Sequence, residues 1–354
     1  MKVLIRADAS LHMGTGHIMR CATLAKELRA QGADVSFCCI EQAGDLTSWL
    51  EAENFEVLRI NAKPKESDSS EWLPWTEQQD AKLLIEKLSP NLRFDWIVVD
   101  HYGLSSVWHQ ALRAYTKRIF VIDDLANREY DADLLLDQNL GRKVENYSPH
   151  TKARVLAGTQ YALLRKEFLQ ARNQCQTRAH IRHLLIALGG VDEHNYSSQI
   201  LQILADNKVT ELQQIVVVLG RTAPHLAAVK EHANRFSRGC VTVVQGVSNI
   251  AELMVDADLA IGAAGTTSWE RCCLGLPTIV LELAENQRIA AEALVNEGVA
   301  EHLHVADIDK RLMRTLQSLL ERPERIKEMS TQAMKLVDGQ GVKRVITALN
   351  EVLA

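Results

Sequence analysis

At 354 residues the chain is longer than one ordinary domain and suits two, each large enough to bury a full core without disulfide staples. Hydrophobic residues make up 47% and charged residues 24%, the balance of a soluble globular protein. A formal charge of −5, with a pI of about 6.2, gives no reason to expect a nucleic acid or a membrane as partner, but leaves room for a local anion site.

The chain opens on a short strand-like run, Val3–Ile5, interrupted by Arg6 and Asp8. That is neither a signal peptide nor a membrane span, and no apolar run approaches ~18 residues. Further runs follow at Val35–Cys39, Val57–Ile60, Trp96–Val99 and Ile119–Ile122, with shorter ones at Leu134–Leu136 and Val155–Leu156. Helical periodicity fills most of the gaps. In the first helix Ile18, Cys21, Ala22, Ala25 and Leu28 mark the inner face, Arg20, Lys26, Glu27 and Arg29 the outer, and Gly32 the end. The stretch Lys63–Gln79 is polar, carries two tryptophans, and reads as a surface excursion. A charged segment over 165–181 reads as a helix plus hinge or linker.

The pattern then restarts, with strands at His183–Leu188, Ile215–Leu219, Val241–Val244, Leu259–Ile261 and Thr278–Leu281. Helices near Arg311–Leu320, Ile326–Leu336 and Val342–Val352 close the chain. Alternating strands and helices predict an α/β fold of two Rossmann-like parallel-sheet domains, 1–164 and 182–354, facing an interdomain cleft. The last helix has the option of packing back on the first domain. The seven cysteines show no C-x-x-C spacing, so they read as buried thiols of a reducing, cytoplasmic compartment.

Chemistry concentrates where strands end. Gly14-Thr15-Gly16-His17 follows the first strand and opens the first helix, where glycines admit a ligand and free N–H groups favour an anion. The helix field there opposes an imidazolium, which leaves His17 a neutral base; the same residues read equally as a tight turn with a capping or surface histidine. Asp100-His101-Tyr102-Gly103 ends another strand and offers hydrogen bonds and a ring to a sugar, or else a helix cap beside a buried histidine. Asp123-Asp124 reads as capping.

In the second half, Gly189 and Gly190 make a close-approach loop. Gly265, Thr266, Thr267 and Ser268 offer backbone and hydroxyl donors for phosphate oxygens. Glu270, one turn on, suits the two hydroxyls of a ribose, or is an ordinary first-turn glutamate. Asn286 and Gln287 add amides at the same sheet edge. Together these loops predict a nucleotide-bearing ligand. With no carboxylate pair placed to hold a metal on a diphosphate, neither metal nor cofactor is expected.

Taken in order, Gly14, Gly16, His17 and Arg20, the Asp100–Gly103 run, the Tyr161–Phe168 stretch and Gly265–Glu270 resemble one family. It is the UDP-2,4-diacetamido-2,4,6-trideoxy-β-L-altropyranose hydrolases of pseudaminic acid biosynthesis, and the resemblance runs to about residue 300. It implies a GT-B-like fold akin to MurG, and removal of UDP by water at the anomeric carbon with inversion and C–O cleavage. It puts the base at His17 and the sugar pocket at Asp8 to His17 and Tyr102. The UDP contacts are then expected around Gly189, Gly190, Thr266 to Glu270 and Asn286; Tyr161–Phe168 has no assigned role. The chemistry is consistent, because a nucleoside diphosphate leaves as a stabilised anion and needs no partner acid. The alternatives are a MurG-type UDP-sugar glycosyltransferase, a UDP-N-acetylglucosamine 2-epimerase, and a non-catalytic nucleotide-sugar binder. No oligomeric partner is evident.

Overall fold

β-Branched and aliphatic runs bounded by turn residues give strands buried on both faces, and such strands pair in parallel only when helices cover them. The computed structural model describes residues 1–61, 72–221, 223–237, 239–247, 249–283 and 287–354. These residues form two units, Met1–Leu163 with Gln340–Ala354, and Leu164–Gly339.

In the first unit the strands are β1 (Lys2–Ala7), β2 (Asp34–Glu41), β3 (Glu56–Asn61), β4 (Phe94–Asp100), β5 (Thr116–Ile122), β6 (Leu134–Asp137) and β7 (Arg154–Ala157). They make one sheet in the order β3-β2-β1-β4-β5-β6-β7, with parallel neighbours throughout. The intervening helices are α1 (Gly16–Ala30), α2 (Thr47–Ala52), α3 (Glu77–Ile85) and α4 (Ser106–Leu112). The strand order reverses between β1 and β4, whose register pairs Ala7 with Asp100. Their carboxyl ends therefore open at a topological switch point, the usual ligand position in such sheets.

The second unit holds α5 (Lys166–Arg172), β8 (His183–Ala187), α6 (Tyr196–Asp206), β9 (Gln214–Leu219), α7 (Leu226–Ala233), β10 (Val241–Gln245) and α8 (Ile250–Asp256). It continues with β11 (Leu259–Ala263), α9 (Thr267–Cys273), β12 (Thr278–Glu282), α10 (Arg288–Asn296), β13 (Ala300–His304), α11 (Ile308–Leu320) and α12 (Pro323–Leu336). Its sheet runs β10-β9-β8-β11-β12-β13, with the switch point between β8 and β11. β13 was not expected, because Glu301, His302 and His304 hide its inward Ala300 and Leu303.

Three expectations change. The segment over 165–181 is no free linker: the buried Arg178 guanidinium donates to the Met254 and Ala257 carbonyls at 2.8 and 2.7 Å, at the end of α8. Arg20, expected outside, is buried. Of the polar stretch 63–79, residues 72–79 are described and are fastened down: Leu73 is buried, and Glu77 accepts from the Ser105 N–H at 2.7 Å.

The last helix, α13 (Gly341–Leu353), presents Val345, Ile346 and Leu349 to the core of the first unit beside Ile18 and Ala22. Each such side chain contributes about 1.5–3 kcal/mol on burial, so α13 is an integral layer of that unit. No helix among the described residues is long and apolar enough to cross a membrane.

Candidate active site

The loop between β1 and α1 is drawn tight by a bridge between Ser10 and Gly14, where Gly14 takes a φ of 76° that side chains resist. Leu11 N–H donates to the Ala43 carbonyl at 3.1 Å, which ties the loop to the end of β2. Thr15 is the N-cap of α1 but puts no side-chain oxygen on the first-turn N–H groups. Those groups keep their capacity for an anion.

His17, in the first turn of α1, is buried, and its Nδ1 lies 2.6 Å from Asp100 Oδ1. An ionised carboxylate only accepts, so Nδ1 carries the hydrogen and Nε2 keeps its lone pair. Arg20 lies one turn on and grips the same carboxylate with both arms, Nε to Oδ2 and Nη2 to Oδ1, each at 2.6 Å. Cys21 Sγ adds a donor to Oδ2 at 3.4 Å. Asp100 is thus fully buried with four donors on its two oxygens. Burial raises its pKa, but Arg20 first and then His17 hold it well below the usual carboxylate range. Asp100 therefore orients His17 and offers a ligand nothing. The sequence put it in the sugar pocket; its saturated oxygens argue for a positioning role instead.

Asp8 and His101 are also buried, in a second network in which Asp8 Oδ2 and His101 Nε2 have no hydrogen-bond partner among the described residues. Arg6 holds Asp80 through Nε and Nη2 at 3.1 and 2.8 Å and lies 2.8 Å from Asp8 Oδ1. Asp8 also accepts from the Ile40 N–H at 2.7 Å. Burial opposes its ionisation, yet Arg6 and then His101 bring it down to about 2. The Gly103 N–H donates to His101 Nδ1 at 3.0 Å, so the hydrogen of the neutral ring is on Nε2, 3.3 Å from Asp8 Oδ2. Burial, only partly offset by Asp8, lowers the His101 pKa and keeps the ring neutral.

Of the D-H-Y-G run, Tyr102 alone keeps a part-exposed side chain with a functional tip. Its ring stands edge-on to His17, centroids 4.7 Å apart at 84°. Burial, then the charge of Asp124, raises its hydroxyl pKa, so the phenol stays protonated. Neither aspartate caps a helix, contrary to expectation: Asp124 reaches Arg20 Nη1 at 3.3 Å, and Asp123 closes a turn, accepting from the Leu125 and Ala126 N–H groups at 3.0 and 2.8 Å.

In the second unit Gly189 and Gly190 are exposed beyond β8, at the switch point. A Cβ on Gly220, at the end of β9, would lie 1.7 Å from the Gly190 carbonyl oxygen. Gly220 is thus the unforeseen support of that loop, and its need for close approach leaves no local signal. Gly265 has open space where a side chain would be, and Thr266 is exposed. Ser268 is buried and accepts from Arg271 Nη2 at 3.0 Å, while Thr267 Oγ1 accepts from Arg271 Nη1 at 3.2 Å. Arg271 lies fully within the fold, its pKa pushed down to about 10 by burial. Glu270 Oε1 meets Arg165 Nη2 at 3.3 Å, and burial raises its pKa against that pairing. This contact ties Arg165, in the stretch without an assigned role, to Glu270. Gln287 Oε1 accepts from the Leu283 N–H at 3.2 Å; Asn286 lies outside the described residues.

A family model for the glycosyltransferase family 28 C-terminal domain matches residues 152–346. The chain is 26% identical over 313 residues to an uncharacterised protein of Methanocaldococcus jannaschii, a match that covers 86% of this chain but 60% of that one. It is 28% identical over 301 residues to the UDP-2,4-diacetamido-2,4,6-trideoxy-β-L-altropyranose hydrolase of Campylobacter jejuni, with 84% of this chain and 97% of that enzyme aligned. Among solved structures, MurG of Acinetobacter baumannii superposes over 99% of both chains with a TM-score of 0.70 at 15% identity, a likeness of fold. On this match and on its two Rossmann-like parallel sheets of GT-B type, the chain belongs to the family of the glycosyltransferase family 28 C-terminal domain.

Proposed function

We propose that the protein hydrolyses a UDP-linked 2,4-diacetamido-2,4,6-trideoxy sugar of the altropyranose type, releasing UDP and the free sugar. The observation that carries this reading is the 2.6 Å contact between His17 Nδ1 and Asp100, which leaves Nε2 as the base. Water gives its proton to Nε2 as its oxygen bonds to the anomeric carbon. The bond from that carbon to the diphosphate oxygen breaks, and UDP leaves with the electron pair. Attack opposite the leaving group inverts the centre. Asp100 stabilises the imidazolium that forms, as a buried carboxylate does in triads. The first unit supplies the base and Tyr102; Gly189, Gly190, Gly265 to Ser268 and Glu270 of the second unit bind UDP. Asp8, His101 and Asp100 position the rest. The named activity of the Campylobacter jejuni relative supports the substrate.

The family description favours a second reading, in which the same base deprotonates an acceptor alcohol. Incubation with the UDP-sugar alone separates the two. Release of UDP and free sugar without an acceptor, lost in His17→Asn while UDP still binds, supports hydrolysis. Turnover only with an added acceptor alcohol contradicts it.

A further inference from the structure

Large apolar side chains left in water are few among the described residues, and two of them stand close to the His17 loop in this unit. Leu11 is 67% exposed and Trp72 is 37% exposed. His12, next to Leu11, brings its ring 5.8 Å from the Trp72 ring, and Trp72 stands edge-on to Tyr102 at 4.8 Å and 74°. Tyr102 in turn stands edge-on to His17 at 4.7 Å. These two steps place the indole within about 9.5 Å of the imidazole, the reach of a substituted pyranose beside the base.

Trp72 is exposed although residues that follow it are anchored. Leu73 is buried against Gly103, where a Cβ would come within 3.0 Å of its Cγ, and Trp75 Nε1 donates to Asp80 Oδ2 at 3.3 Å. The backbone is thus fixed on the Tyr102 loop while the indole stays half open. An indole held this way costs little entropy on meeting a ligand and offers a large apolar face.

Resting on the hydrolase reading, we infer that Trp72, with Leu11 and His12, is a specificity rim that receives the apolar substituents of the sugar: the C6 methyl of a 6-deoxy ring and an acetamido methyl. Burying a methyl against the indole face is favourable, whereas a 6-hydroxyl set on that face would lose its water without gaining a partner. The rim therefore selects deoxy, acetamido sugars over fully hydroxylated hexoses, and it acts on the sugar rather than on UDP.

The test compares wild type, Trp72→Ala and Trp72→Phe. It measures kcat and KM on the UDP-linked diacetamido-trideoxy sugar, inhibition by UDP, and competition by UDP-N-acetylglucosamine, which keeps a 6-hydroxyl. Trp72→Ala is expected to raise KM on the order of tenfold. It should leave inhibition by UDP unchanged and narrow the preference over the competitor, with Trp72→Phe restoring most of the loss. Unchanged KM and preference in Trp72→Ala, or an equal loss of UDP inhibition, would overturn the rim. A wild-type protein that releases no UDP from this sugar would overturn the hydrolase reading and the rim with it, an outcome told apart by the inactive wild type.

Discussion

Asp100→Asn separates an orienting carboxylate from a bystander. Asp100 receives Nδ1–H of His17 and Nη2–H of Arg20 on one oxygen, and Nε–H of Arg20 on the other, all at 2.6 Å. Asparagine replaces one of those acceptors with an amide donor. If the amide nitrogen faces His17, the ring accepts at Nδ1, its hydrogen moves to Nε2, and the base is gone. If it faces Arg20 Nε, two donors collide and the imidazolium loses its counter-charge. The first orientation removes the base and the second leaves it without its counter-charge, and the wrong-tautomer case loses about 10⁴-fold in kcat in comparable triads. Arg20 is also stripped of its buried partner, at a cost of about 3–5 kcal/mol, softened by Asp124 at 3.3 Å. Steady-state UDP release and thermal unfolding measure both effects. The variant should keep UDP affinity, and adding His17→Asn to it should cost little more, because the two act as one unit. A folded Asp100→Asn protein within tenfold of wild-type kcat would refute the dyad.

Glu270→Ala should weaken UDP binding in calorimetry on the order of tenfold, with little change in the pH profile of turnover; unchanged UDP affinity would remove Glu270 from the nucleotide site. Away from the site, Tyr147 OH lies 2.9 Å from Asp123 Oδ2 and 2.8 Å from Asp137 Oδ2, one hydrogen for two carboxyl groups. Arg142 Nε also lies 3.1 Å from Asp137 Oδ2, yet burial, opposed by the Asn139 N–H, raises the Asp137 pKa to about 6. A folded value above the unfolded value of about 4 gives stability that is full at lower pH and lost as pH rises through about 6. Asp137→Asn cannot ionise, so between pH ~4 and ~8 wild type should lose up to about 3 kcal/mol relative to it in urea unfolding. An equal gap at both pH values would contradict the raised pKa of Asp137.

Much of the fold was legible because parallel strands are nearly continuous apolar runs between helical patterns. His17 and the D-H-Y-G run were legible too, since glycines and polar groups at strand ends stand out. The division of roles was not. Whether Asp100 touches a ligand or His17 depends on β4 lying beside β1, a pairing between residues 83 apart in sequence. Arg20 shows the same limit: helical spacing alone sends a charged residue outward, and the carboxylate opposite turned it in. Arg6 looked like an interruption of β1 because its partner Asp80 is 74 residues away. Trp72 sat in a polar stretch whose composition suggested surface, although Leu73 and Glu77 are held by the core and by α4. The grouping of α13 with the first unit was open in sequence, because an amphipathic face does not say which core it covers.

The central claim is that water, activated by His17, attacks the anomeric carbon and that UDP leaves intact. Turnover of the UDP-sugar in heavy-oxygen water, with the released UDP read by mass spectrometry, tests it most directly. UDP without label, produced by wild type and not by His17→Asn, is the predicted result. Label in the β-phosphate of UDP would place the attack on phosphorus and contradict the account.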